Sequence, residues 1–278
     1  MASDTFDRSC EHWSEEGRAE MERFYEIASV DYRHLAEARD WPAWLKGKAD
    51  GVDGRRPSIL DVACGSGKFP TALNLYAGVD GADLAPIDYA LLDPSRFSID
   101  EARAALAAPF HPSTEFETTL QELHCPKGAF DIVWATHALY ALPAAELAPA
   151  LRRFVDACAG EGFIAHAFED AHYIKFQRLF LSAFDRADET PFVSAEDVVA
   201  ALREIGASFT VDEIAYENGA REDERVVVEG YLQRCVFDDR VTLAEMERAE
   251  GLEGYLEDCR EDGVWRFKQR VALISILP

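Results

Sequence analysis

The segment ILDVACGSGK, residues 59–68, decides the fold class of this 278-residue chain. It begins as an apolar run that ends at Val62 and continues through small residues to Gly65 and Gly67. This pattern is typical of a buried strand that turns sharply at the carboxyl edge of a sheet, where missing side chains let a ligand lie against the backbone. The segment therefore predicts a strand, a ligand-binding turn and a following helix.

The turn lacks the two glycine motifs that bind phosphates. The dinucleotide motif GxGxxG is absent because Ala63 stands at the position of its first glycine. The triphosphate motif GxxxxGK[ST] is absent because Phe69 follows the Gly-Lys pair. A second apolar run, YALLD, ends in Asp93, and an acid at this strand end is placed to accept both hydroxyls of a ribose. The pattern therefore favours a nucleoside ligand without phosphates.

Beyond residue 58, strand-like and helix-like stretches alternate. The further strand-like runs are YALLD, TEFETT, FDIVWAT, GFIAHAF, SFTVDEIAY and VALISIL. The helical stretches include SIDEARAAL and SAEDVVAALREIG, in which Ser98 with Glu101 and Ser194 with Asp197 have capping-box spacing. Such alternation predicts a doubly wound α/β fold of about seven strands, with a largely parallel sheet covered on both faces.

The chain divides at a polar loop. Residues 1–50 are predicted to form a helical cap, with a helix over Glu15–Leu35 and an aromatic connector, WPAWL, at residues 41–45. The Gly- and Asp-rich stretch at residues 46–58 predicts an exposed loop at the boundary between this cap and the main domain. Residues 51–278 form the predicted main domain. In it, a charged loop and an amphipathic helix at about residues 217–262 are predicted to form a substrate lid before the last strand.

Composition limits the function classes. A formal net charge of −24 disfavours nucleic-acid substrates and anionic membranes, and it suits a small neutral or cationic substrate. The same acidity is also typical of adaptation to solubility or salt. No run approaches the roughly 18 apolar residues of a membrane helix, and the polar N-terminus lacks a signal-peptide core, so we expect a cytoplasmic protein. Six scattered cysteines predict reduced thiols and neither disulfides nor a zinc site.

Four motifs in order, DVACGSG, LDPS, LQEL and FDIVWATHALY, resemble class I S-adenosylmethionine-dependent methyltransferases over about Ile59–Phe168. The resemblance implies a Rossmann-like seven-stranded sheet with an antiparallel last strand, and S-adenosyl-L-methionine as cofactor. It implies that the turn contacts the methionine part of the cofactor and that Asp93, the acid of YALLD, contacts the ribose. It also implies that the segment around LQEL lies near the adenine. The implied cofactor-binding residues are Asp61, Ala63, Gly65, Ser66, Gly67, Asp93, Thr119, Gln121 and Thr136.

In layout the chain looks most similar to histamine N-methyltransferase and its small-molecule relatives. The acceptor-binding positions of that family correspond to Asp31, His137 and Gln269, which differ in identity but remain polar. The resemblance therefore implies a small amine acceptor other than histamine, with Asp31 and His137 orienting or deprotonating it. His137 leaves the carboxyl end of a strand, and its ordinary pKa near 6.5 suits a general base. The alternatives are a solvent-exposed Asp31 and a structural His137.

Two further residues are candidates for substrate binding. Tyr140 follows the fourth strand, and Glu169 follows the fifth. His166 and His172 lie near Glu169 but match no standard metal-binding spacing, so no metal is expected. If a metal did bind there, magnesium-assisted O-methylation of a catechol would be the reaction to test. The alternative functions are O- or C-methylation in secondary metabolism, with His137 or Glu169 as base, and a methyltransferase-like scaffold without activity.

Overall fold

The computed structural model describes residues 5–49, 54–186 and 188–277. The chain opens with three helices, α1 (Thr5–His12), α2 (Arg18–Glu37) and α3 (Trp41–Ala49). The predicted N-terminal helix is confirmed as α2. The predicted connector WPAWL is wrong, because these residues form the first turns of α3. Asp40 starts this helix by accepting the Ala43 N–H at 3.0 Å, and a proline is tolerated in a first turn. Part of the predicted boundary loop, residues 50–53, lies outside the described residues.

Residues 58–221 alternate between strands and helical segments as predicted, and three helices then precede the last two strands. The strands are β1 (Ser58–Val62), β2 (Ile87–Asp93), β3 (Phe110–Glu117), β4 (Phe130–Thr136), β5 (Cys158–Ala167), β6 (Ser208–Arg221), β7 (Arg260–Glu261) and β8 (Val264–Leu277). The helices are α4 (Lys68–Ala77), α5 (Arg96–Ala105), α6 (Ala144–Ala157), α7 (His172–Ala183), α8 (Ala195–Glu204), α9 (Arg225–Arg234), α10 (Leu243–Met246) and α11 (Glu253–Asp258), with a 3-10 turn at Leu120–Glu122.

One sheet contains all described strands in the order β3-β2-β1-β4-β5-β8-β6, with β7 paired to β8. β1 to β5 run parallel, and β8 is antiparallel to both β5 and β6. The doubly wound fold and the antiparallel last strand are confirmed. The sheet has eight strands rather than seven, because the two-residue β7 folds back onto the start of β8. Strand order reverses between β1 and β4, and ligands of such sheets bind at this switch point.

Both faces of the sheet are buried. Alternate residues of β1 and β4 enter different cores: Ile59 and Ile132 belong to one, and Leu60 and Val133 to the other. This period of two is the ordinary consequence of strand geometry. The N-terminal helices cover the first core through Trp41, which is fully buried and donates its indole N–H to the Leu35 carbonyl at 2.9 Å.

Two local predictions about helix starts have different outcomes. The capping box of Ser194 and Asp197 at the start of α8 is confirmed. The cap predicted at Ser98 is wrong, because α5 begins earlier and Ser95 accepts the Ser98 N–H at 3.3 Å. Ser95 has extended backbone angles, as caps do, whereas Ser98 is buried inside the helix.

The segment before the last strand also differs from its prediction. The first half of the predicted charged loop continues β6 as far as Arg221. The stretch VVVEGYLQRCVF, residues 226–237, has an apolar pattern that fits either a strand or a helix, and it contains most of α9. The predicted amphipathic helix after it is interrupted, because Gly251 adopts a left-handed φ of 82° between α10 and α11. None of the helices in the described ranges is long and apolar enough to cross a membrane.

Candidate functional site

The turn after β1 has an unusual backbone. Ala63, Gly65 and Gly67 all have left-handed φ angles, of 52°, 50° and 69°. Glycine adopts this region without penalty, whereas alanine loses about 1–2 kcal/mol there. A Cβ on Gly67 would lie only 3.1 Å from the Ala102 Cα, so this glycine also permits close packing of α5. Gly65 has open space beside it, since a Cβ there would meet only the Tyr25 hydroxyl, at 3.9 Å.

Asp93 ends β2 directly beside this turn. Its carboxylate accepts the Gly65 N–H at 3.1 Å and the Ser95 N–H at 2.9 Å. The parallel pairing of β1 and β2 brings the strand end and the turn together. Burial raises the pKa of Asp93 to about 6, although both N–H donors favour the ionised form. The carboxylate therefore keeps lone pairs that can face a ligand.

Asp61 lies within β1 and is also buried. It accepts the Tyr89 hydroxyl hydrogen at 2.7 Å, and the Tyr89 oxygen accepts the Trp134 indole N–H at 3.2 Å. Burial raises the pKa of Asp61 to about 7. A carboxyl group poised between its charged and neutral forms next to a glycine turn is a typical feature of functional sites.

A cleft of about 980 Å³, which we call the main cleft, opens at the carboxyl ends of β1, β2 and β4. Seven of the nine predicted cofactor-binding residues line it; Ser66 and Gly67 do not. The seven are Asp61, Ala63, Gly65, Asp93, Thr119, Gln121 and Thr136.

Helix α1 forms an outer wall of the main cleft. Phe6, Ser9 and Cys10, with Trp13 just after the helix, all line it. The helix is tied down by the ion pair of Arg8 with Glu189. These lining residues were not predicted as site residues, because nothing in the sequence of α1 indicates which side of the sheet it covers.

A second cavity of about 600 Å³ adjoins the main cleft. Six residues line both spaces and so form a shared wall: Ser9, Trp13, Tyr25, Tyr32, His137 and Ala138. Aromatic rings make up most of the second cavity: Trp13, Phe24, Tyr25, Tyr32, Tyr140, Tyr173, Phe192 and Phe237. Rings of this kind exclude water and offer negative faces to a cation.

Asp31 lines the second cavity and is 2% exposed, so its alternative interpretation as a surface acid is wrong. Its carboxylate accepts the Tyr173 hydroxyl hydrogen at 2.6 Å and an Asn218 side-chain N–H at 2.9 Å. Burial raises the pKa of Asp31 to about 6. The group is therefore held rigidly and gains or loses a proton near neutral pH.

His137 lies in the shared wall with a left-handed φ of 54°. Its Nδ1 is 2.6 Å from the Tyr140 hydroxyl, whose oxygen already accepts the Ala167 N–H at 3.3 Å. The hydroxyl oxygen can accept a second hydrogen or donate its own, so the tautomer of the ring decides which group donates in this bond. Nε2 has no partner among the described residues. Burial lowers the pKa of His137 to about 4, so the ring is neutral near pH 7 and is not a base of ordinary pKa.

The two other predicted substrate residues lie outside both cavities. Glu169 is exposed, with its carboxylate 3.8 Å from the Arg178 guanidinium. Gln269 is buried but donates to the Tyr231 hydroxyl at 3.3 Å. Tyr140, by contrast, lines the second cavity. Within the described ranges, no three His, Cys, Asp or Glu side chains are grouped as a metal site would require.

One residue of the second cavity was not recognised in the sequence. Arg234, at the end of α9, is 1% exposed and lines this cavity with its neighbour Cys235. It lies in a stretch whose sequence fits either a strand or a helix, so the direction of its side chain could not be predicted from the sequence. The helical segment before the last strand thus reaches the second cavity.

Both the sequence and the fold of this chain are similar to those of methyltransferases. A family described as a methyltransferase domain matches residues 59–162. A magnesium protoporphyrin IX methyltransferase from Synechocystis, solved with bound S-adenosylhomocysteine, aligns with a TM-score of 0.57 and 13% identity, covering 99% of this chain and 100% of that one. A putative methyltransferase from Bacillus halodurans aligns with a TM-score of 0.55 and 14% identity over 85% and 97%. No curated protein matches the sequence.

Proposed function

We infer that this chain, a class I S-adenosylmethionine-dependent methyltransferase, methylates an amine nitrogen of a small molecule held in the second cavity. The observation that carries this proposal is the shared wall. Residues such as Tyr25, Tyr32 and His137 face both the main cleft and the second cavity, so the two ligands meet there.

The residues of the main cleft fit the cofactor. Asp93 accepts two backbone N–H groups and interacts with the Ser98 side chain, and we assign its remaining lone pairs to the ribose hydroxyls. The open space beside Gly65 lets the methionine part approach the backbone. Thr119 and Gln121 border the region proposed for the adenine, with Thr136 on the other side. Phosphate-binding motifs are not needed for such a ligand.

S-adenosylmethionine supplies a methyl group on a sulfonium, which an amine lone pair displaces in line. The aromatic walls of the second cavity align the amine and keep water away from it. The new N–C bond forms as the S–C bond breaks, and a proton of the amine must leave. The Asp31 carboxylate, with a pKa of about 6, is the group in this cavity that can take it.

The walls also support a cationic acceptor. Asp31 and the rings around it, including Phe24 and Tyr173, suit a protonated amine before it loses its proton. The alternative of O- or C-methylation needs a base for a hydroxyl or an acidic carbon. Glu169 lies outside both cavities and burial lowers the pKa of His137, so neither base predicted for that alternative serves it. The buried acid Asp31 among aromatic rings favours a cationic amine over a neutral hydroxyl.

Two predicted segments gain support as parts of the substrate site. Helix α1 and Trp13, in the proposed cap at residues 1–50, line both spaces, and Arg234 reaches the second cavity from the proposed lid at residues 217–262. We propose that both segments close over the bound ligands, which would exclude water during methyl transfer.

A screen of amines, phenols and carboxylic acids for release of S-adenosylhomocysteine tests the proposal. We expect amines to be methylated, and Asp31→Asn to lower kcat about 10²- to 10⁴-fold, the usual contribution of a general base, with little change in cofactor Kd. Glu26→Gln, an exposed change on the same helix, is the matched control. Turnover of phenols or acids but of no amine would overturn the amine assignment.

A further inference from the structure

We propose that Arg234 is an anion-binding residue of the second cavity, and that the methyl acceptor carries a carboxylate as well as its amine. The acceptor would then be an amino acid or a similar aminocarboxylate. This inference rests on the proposed function, because it assigns a chemical class to the same acceptor.

The first observation is that Arg234 forms no ion pair at contact distance among the described residues, although Asp239 and Glu20 attract its charge from farther away. The side chain is 1% exposed and lines the second cavity. Its Nη1 donates to the His12 carbonyl at 2.6 Å and its Nη2 to the Gly17 carbonyl at 3.2 Å. Both acceptors are neutral, and its Nε has no partner among the described residues. Three of the five guanidinium N–H groups therefore remain available.

A comparison with Arg8 shows that this arrangement is unusual within the same chain. Arg8 is also buried, but it forms an ion pair with Glu189, whereas Arg234 forms no ion pair in the part of the chain that the structure describes. A buried charge is unfavourable unless Coulomb attraction offsets its desolvation. For Arg234 the loss of hydration outweighs the attraction of Asp239 and Glu20, so burial lowers the pKa of its guanidinium. A bound anion in direct contact would supply the ion pair that Arg234 lacks.

A second observation also points to a polar ligand. His137 has an unpartnered, buried Nε2 in the wall of the same cavity, and this nitrogen can donate to a carboxylate in the tautomer that carries its hydrogen there. Arg234 is the cation of the cavity and Asp31 is its acid. One cation and one acid match the two charges of an amine that also carries a carboxylate.

The charge of the site favours a carboxylate over a phosphate. A guanidinium fork matches the geometry of both groups, so geometry alone does not decide. However, one unpaired cation balances a single negative charge, and a phosphate dianion would be left with excess charge near Asp31. The net charge of −24 also repels multiply charged anions.

Matched pairs of acceptors test the inference on the unaltered protein. Phenylalanine is compared with phenethylamine, and leucine with isopentylamine, by the initial rate of S-adenosylhomocysteine release. Since a hydrogen bond to a charged group contributes about 1.5–3 kcal/mol, we expect kcat/KM to be about 10- to 100-fold higher for the carboxylate member of a pair. An equal or higher value for the simple amine would overturn the inference but leave the proposed function intact. Turnover of no amine of either kind would instead refute the proposed function.

Variants separate anion binding from a purely structural role. Arg234 also ties the α1–α2 connection through its two carbonyl contacts, so its loss could loosen the cap without any ligand contact. Arg234→Met should raise KM about 10- to 100-fold for the carboxylate substrate and much less for its decarboxylated partner. Arg8→Met is the matched control, because Arg8 also anchors α1 but does not line the second cavity.

The control should affect both members of a pair equally. If Arg234→Met did the same, Arg234 would be a structural residue and the inference would be wrong. Should Arg234→Met fail to fold, Arg234→Lys keeps the charge and is expected to retain a preference for the carboxylate member. Loss of that preference in a folded lysine variant would overturn the inference that the charge at this position binds the carboxylate.

Discussion

Asp93 offers the sharpest test of the cofactor site, through Asp93→Ala and Asp93→Asn. A carboxylate has about four lone-pair positions, and two of those of Asp93 accept the N–H groups of Gly65 and Ser95. We propose that the other two accept both ribose hydroxyls. At about 1.5–3 kcal/mol for each bond to a charged group, the alanine change should cost about 3–6 kcal/mol of binding free energy. This corresponds to a Kd for S-adenosylmethionine about 10²- to 10⁴-fold higher.

The asparagine change separates ligand contact from support of the turn. A carboxamide of similar size keeps one oxygen acceptor but loses the charge, so we expect a smaller rise in Kd, about 10- to 100-fold. The matched control is Asp88→Asn, at the start of the same strand, where the carboxylate lies 3.4 Å from the Arg56 guanidinium and outside the main cleft. Unchanged affinity is expected for this control.

Isothermal titration calorimetry with S-adenosylmethionine and S-adenosylhomocysteine measures these effects, with thermal unfolding as the check on folding. The unaltered protein should also bind more weakly in acid, because the pKa of Asp93 is about 6 and the protonated carboxyl accepts fewer hydrogen bonds. Linkage gives a roughly 10-fold higher Kd at pH 5 than at pH 8, and Asp93→Asn should weaken this dependence. A Kd within about threefold of the unaltered value in folded Asp93→Ala would refute the ribose assignment.

Two further predictions concern stability, measured by urea unfolding. Gly67→Ala should lose about 2–4 kcal/mol, because it combines a left-handed φ with a contact of 3.1 Å to the Ala102 Cα. Gly78→Ala shares the left-handed φ without any atom within 4 Å, so it should lose only about 1–2 kcal/mol, and equal losses would contradict the packing argument. Burial raises the pKa of Asp61 from 3.8 to about 7, so the folded state binds more protons and this contribution to stability is lost as pH rises through 7. The free energy of unfolding of the unaltered protein should therefore fall between pH 5 and pH 8 by about 2–3 kcal/mol more than that of Asp61→Asn, which cannot titrate. An identical fall in both proteins would show that Asp61 does not titrate in this range.

Local sequence patterns were sufficient for the sheet and the cofactor edge. Alternating apolar runs predict strands because side chains of a strand point alternately to two faces, and the glycine turn predicts the edge because few residues adopt its backbone. Asp93 could be placed because it directly ends a recognisable strand. The wrong cap at Ser98 shows the limit of such patterns, since Ser95 satisfies the same local rule and the end of β2 decides where α5 begins.

The sequence by itself therefore determined the fold class, the turn and the position of Asp93 beside it, because these depend on residues close together in the chain. Only the tertiary structure decided the lining of the second cavity. Asp31 is buried through a bond to Asn218, 187 positions away, and Arg234 reaches a carbonyl of His12, 222 positions away. Such contacts leave no periodicity in the sequence. The charge of His137 was likewise decided by folding, since burial lowers its pKa to about 4.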